Sequence, residues 1–93
     1  MMTADSFILD LTHAAGALGC PLDAEATSIL RAIVTHDPDE WSAGGVQRGR
    51  ITKRARMVVL RAVYTAKAEK RDMIDGRTMR LALADTVADR ATE

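Results

Sequence analysis

Five bases fall within nine positions, Arg48, Arg50, Lys53, Arg54 and Arg56, the densest grouping of one charge sign in this 93-residue chain. A guanidinium carries five N–H donors in a planar fork that matches a carboxylate or a phosphate, so such a cluster suits an anionic partner. Two partners fit that chemistry. An acidic protein surface would be steered in by the charge and held by an apolar contact, for which Trp41 is the nearest large side chain. A nucleic-acid backbone would be gripped through its phosphates, with strong salt dependence. Against nucleic acid, the cluster contains no interleaved aromatic residue on which bases could stack, and bases at a helix start oppose the helix dipole. The protein partner is the preferred reading and a DNA- or RNA-binding regulator the alternative.

Other reactive types give no constellation. The glycines at 44, 45 and 49 bring backbone N–H groups near a helix start, as a phosphate cradle needs, yet no GxxxxGK[ST] pattern follows. His13, Cys20 and His36 are the soft ligands, and no two of them stand at CxxC spacing or four apart on a helix. Nothing orients Cys20 toward a histidine base, and its plainer role is that of a small buried residue. The carboxylates sit where caps and solvated faces would put them. The sequence therefore predicts no catalytic residue, no metal site and no cofactor, in a chain too short to wall off a deep reaction cavity.

The net charge of +0 hides a division along the chain. Residues 1–46 carry a net charge of −6, residues 47–80 carry +8, and the remainder carries −2. Either the acidic half neutralises the basic one inside the fold, or the basic face is left for an anionic partner. The lone Cys20 and the absence of a run of about 18 apolar residues lead to the expectation of a cytoplasmic chain that does not enter a membrane.

Sixteen alanines, aliphatic side chains and only three aromatic residues favour helix over strand. The apolar spacing of Phe7, Leu11, Ala14 and Leu18 predicts a helix over about 6–18, capped by Asp5 or Ser6 and closed by Gly19. Pro21 and Asp23 open a second helix through about Thr35. Asp37-Pro38-Asp39-Glu40 reads as the start of a short third piece that ends at Gly44-Gly45 and is anchored by Trp41. A mobile loop is expected over about 44–50, then a central helix over about 52–71 capped by Thr52. Its wide apolar stripe includes Met57, Leu60 and Tyr64 beside Val58, Val59 and Val63. Met73-Ile74 forms an extended link, Asp75 caps the last helix, and the chain frays from about Asp89.

The motifs Thr52-Lys53-Arg54-Ala55, Leu60-Arg61-Ala62, Lys70-Arg71-Asp72-Met73-Ile74 and Asp75-Gly76-Arg77-Thr78-Met79-Arg80-Leu81-Ala82-Leu83 resemble the small helical lid of AAA+ ATPases. The likeness is to MoxR, magnesium-chelatase and MCM-type lids, and it covers about residues 52–90. It implies helical packing and docking against a neighbouring protein or nucleic acid, with Arg54 at the position where such lids sense nucleotide. This chain departs from the family in lacking Walker A and Walker B motifs, so the likeness implies no ATPase activity.

The combined expectation is one all-α domain over 1–93, a small four- or five-helix bundle around the helix at about 52–71. Its predicted core is Leu11, Ile29, Leu30, Ile33, Val59, Leu60, Val63, Leu83 and Val87. Its predicted role is a non-catalytic interaction module, an adaptor, inhibitor or regulator, using Arg48, Arg50, Lys53, Arg54, Arg56 and Trp41. A structural homo-oligomer is a third class, favoured if the wide stripe leaves apolar surface exposed.

Overall fold

The computed structural model describes residues 3–36, 41–42 and 44–91. Four helices make up the described fold: α1 (Ala4–Ala17), α2 (Ala24–Thr35), α3 (Gly45–Ala68) and α4 (Gly76–Ala91). The protein is a small all-α bundle in which α2 and α3 each touch the other three helices. Its extents of 39 × 31 × 18 Å make it two helices deep, since packed helix axes lie about 8–10 Å apart. So thin a body buries one seam of side chains between its layers.

Local chemistry sets each boundary. Thr3 caps α1: its hydroxyl accepts from the Ser6 N–H, and the Ser6 hydroxyl accepts from the Thr3 N–H. The cap therefore lies ahead of the predicted Asp5 or Ser6, because Thr3 has the extended backbone that a capping box requires and residues 5 and 6 are already helical. At the other end Gly19 takes φ +86°, which lets Cys20 N–H reach the Ala15 carbonyl. Asp23 caps α2 as expected, accepting from Ala26 N–H at 2.7 Å.

The predicted helix at 37–44 falls largely outside the described residues, within which Trp41 and Ser42 are helical. The expected loop over 44–50 is overturned. Gly44 turns the chain with φ +67° and α3 begins at Gly45, so Thr52 lies inside the helix, buried, donating its hydroxyl to the Gly49 carbonyl. Tertiary packing overrides the glycines' weak helix propensity here, through the burial of Ile51 and the hold of Arg48 on Trp41.

The end of α3 also moves, from the expected Arg71 to Ala68. Lys70 adopts φ +59°, a left-handed turn that sends Arg71 N–H back to the Ala66 carbonyl. The extended link then runs beside the entry to α2: Ile74 N–H donates to Pro21 O and Asp23 N–H to Ile74 O, both at 2.9 Å. Asp75 caps α4 through Thr78 N–H at 2.8 Å, and α4 stays helical to Ala91, past the predicted fraying point.

Asp75 also accepts from Arg71 at 2.9 Å. The Thr78 backbone N–H, then the Thr78 side chain, then the Arg71 charge hold its carboxyl below the ordinary 3.8, against an opposing desolvation effect. Above 3.8 the group is ionised in folded and unfolded chains alike, so its stabilisation is fully present. As pH falls from there through the lower folded value, the unfolded chain takes up the proton first and the stabilisation is lost. The Asp75→Asn variant should accordingly lose less stability than wild type between neutral pH and about pH 2 in urea titrations. Identical pH slopes for the two proteins would refute the assignment.

The core runs from Phe7, Ile8 and Leu11 through Leu30 and Val34 to Val58, Ile74 and Met79. Small residues floor α3, where Ala55, Ala62 and Ala66 are fully buried and let neighbouring helices come close. Of the predicted core, Leu11, Leu30, Val59 and Val63 are buried, while Ile29, Ile33 and Leu83 are half-buried at its edge. Leu60 and Val87 are not core, at 55% and 53% exposed. On α3 the 100° step sets Leu60 on the side opposite the buried alanines, where no described helix packs.

Candidate interaction surface

Helix α3 contains seven bases, Arg48, Arg50, Lys53, Arg54, Arg56, Arg61 and Lys67, and no carboxylate. Its five N-terminal bases do not share one face. Arg48 turns inward, donating Nε to the Trp41 carbonyl at 3.0 Å with its guanidinium 5.2 Å from the indole centroid. Arg56 is exposed as a residue, with its guanidinium 5.5 Å from the centroid of the Phe7 ring. Arg54 is half-buried on another flank, and its Nε is out of contact with solvent and without a hydrogen-bond partner. Arg50 and Lys53 alone of the five point into solvent without such an engagement.

Trp41 is half-buried against the core, stacked on Phe7 at 5.9 Å with 27° between the rings. It holds Arg48 in place and stacks on Phe7, so part of its apolar surface is already engaged within the chain.

The outward face of α3 carries what the rim lacks. Met57, Leu60 and Tyr64, at spacing i, i+3, i+7, form an apolar stripe, and Tyr64 is 79% exposed. Arg50 and Lys53 continue the stripe toward the N-terminus and Lys67 toward the C-terminus. The sequence pattern places these three residues in one wide apolar stripe and puts Leu60 in the core. The signal that separates them is their position on the wheel, opposite Ala55, Ala62 and Ala66.

Of the described acidic side chains of the N-terminal half, Asp5, Asp23 and Glu25 are engaged elsewhere. Asp5 pairs with Arg31 at 2.6 Å and Glu25 with Arg80 at 2.8 Å, while Arg71 takes Glu69 and Asp75. Among the described residues, no ion pair reaches Arg50, Lys53, Arg56 or Lys67. The described portion of the acidic half thus leaves the α3 face positive.

Cys20 is buried, with its thiol 3.8 Å from the Arg71 carbonyl, and His13 and His36 are exposed. Among the described residues, no group of three or more histidine, cysteine, aspartate or glutamate residues could hold a metal. No described helix is long and apolar enough to cross a membrane.

No protein-family model, curated protein or solved structure matches the chain.

Proposed function

We propose that this chain is a non-catalytic interaction module that captures an acidic amphipathic helix of a protein partner on the outward face of α3. The observation that carries the reading is the solvent-facing Met57-Leu60-Tyr64 stripe, set between Arg50, Lys53 and Lys67 on a helix with no carboxylate. Exposed apolar residues at helical spacing fit the ridge of a second helix, and flanking cations select one edged with Asp and Glu. The bases accelerate encounter, and burial of Leu60 and Tyr64 holds the complex.

The same stripe weighs against the alternatives. A nucleic-acid backbone offers nothing to Met57 and Leu60. Two copies joined symmetrically through this face would set Arg50, Lys53 and Lys67 against like charges. The likeness of residues 52–90 to AAA+ lids, pieces that dock on neighbouring modules, agrees with an adaptor or inhibitor role. The module is read as cytoplasmic, with Cys20 kept as a buried thiol.

Anisotropy titrations with a labelled amphipathic Leu/Glu helix peptide and with duplex DNA, at about 50 and 200 mM salt, test the reading. The peptide should bind more tightly than DNA. Leu60→Asp and Lys53→Glu should each weaken peptide binding about tenfold or more while leaving the helical circular dichroism intact. Tighter binding of DNA, unchanged by Leu60→Asp, would promote the nucleic-acid reading in its place. Failure of the peptide to bind at either salt would reject the module.

A further inference from the structure

A second apolar surface lies apart from the stripe, in a groove of about 320 Å³ among α2, α3 and α4. Its aliphatic walls include Ile29 and Ile33 of α2 and Leu83 and Val87 of α4, and Arg54 of α3 borders it. Among the described residues, no carboxylate lines it, and His36 of the α2 end lies on its wall beside Arg54. Val87 is 53% exposed and Ile29, Ile33 and Leu83 are half-buried, so the described residues leave the groove open.

Arg54 makes the groove more than an apolar gap. Its Nε is shielded from solvent yet donates to nothing. Arg71, whose Nε is likewise unpaired, spends its terminal nitrogens on Asp75, Glu69 and Thr78. For Arg54, among the described residues, no hydrogen bond or ion pair is made at all. Arg54 therefore borders the groove as a permanent cation without a partner among the described residues, and a carboxylate lying in the groove is the acceptor that its guanidinium lacks.

We infer that this groove binds a medium-chain aliphatic monocarboxylate, with its carboxylate on Arg54 and its chain along Ile33, Leu83 and Val87. A groove of this volume, open along one side, suits a chain of medium length, of which octanoate is the probe. Such a volume is at the small end of ligand pockets, and mostly aliphatic walls with a few polar groups, here Arg54 and His36, are their usual lining. The site is independent of the α3 stripe, so either can fail without the other.

Methyl NMR of the full chain, titrated with sodium octanoate, tests the site. Saturable shifts should appear at the Ile33, Leu83 and Val87 methyls. Octanol, which lacks the charge, and butyrate, which lacks the chain, should each bind about tenfold more weakly or worse, and inorganic phosphate should leave these methyls unmoved. Arg54→Met should cost about tenfold or more in octanoate affinity. Ala32→Phe, at an exposed position that also lines the groove, should block octanoate while preserving methyl dispersion, which covers the case in which Arg54→Met perturbs folding. Octanol binding as tightly as octanoate, shifts that fail to saturate, or undiminished binding by Ala32→Phe would overturn the proposal.

Discussion

Cutting Leu30 to alanine should cost the fold about 2–5 kcal/mol, whereas the same cut at Leu60 should change stability by about 0.5 kcal/mol or less. Both are leucines at helical spacing within apolar stretches. Leu30 is completely buried on α2, which like α3 touches every other described helix, and removing its side chain leaves a cavity that the packed helices cannot close. Leu60 is 55% exposed and its truncation leaves no cavity. A domain of this size has about 5–14 kcal/mol in total, so the first change removes a large share of it. Urea unfolding followed by circular dichroism measures both, and the Leu30→Ala midpoint temperature should fall by about ten degrees or more. Equal losses at the two positions would mean that the α3 face is covered in the free protein, which would remove the basis of the interaction surface as well.

That pair also marks how far the sequence could be read. Segments whose ends carry their own chemistry were legible: Gly19, Pro21 and Asp23 punctuate the α1–α2 connection, and Asp75 opens α4. Ends set by tertiary packing were not. Gly44, Gly45 and Gly49 read as loop because nothing local favours helix, yet burying Ile51 and Thr52 and fixing Arg48 on Trp41 carry α3 back to Gly45. Lys70 takes a left-handed turn with a residue that does not announce one. For the candidate surface, the cations were visible but their directions were not. Five bases that form one cluster in sequence leave α3 on different sides, and two of them settle over aromatic rings of their own chain. The apolar half of the surface was visible too, but periodicity counts a wide stripe without saying which part of it the neighbours reach.

Replacing Ile74 with alanine should be as damaging as the Leu30 change, about 2–5 kcal/mol, although Ile74 lies in a connection and not in a helix. Its side chain is completely buried, and its backbone joins two loops more than 50 residues apart in the chain, donating to Pro21 and accepting from Asp23. Asp23 in turn caps α2, and the next residue, Asp75, caps α4, so one parallel bridge sets the starts of two helices against each other. An extended pair of two residues has little stability of its own, and the buried side chain must hold it in register. Ile74→Val, which keeps the β-branch and removes one methylene, should cost only about 0.5–1.5 kcal/mol. Hydrogen exchange separates the bridge from the cavity: in wild type the Ile74 and Asp23 amides should exchange with the slow core class, and in Ile74→Ala they should exchange ahead of the amides inside α2 and α3. If these two amides exchange fast in wild type, the loops are not joined in solution, and the starts of α2 and α4 must be held together by side-chain packing and the Glu25–Arg80 pair instead.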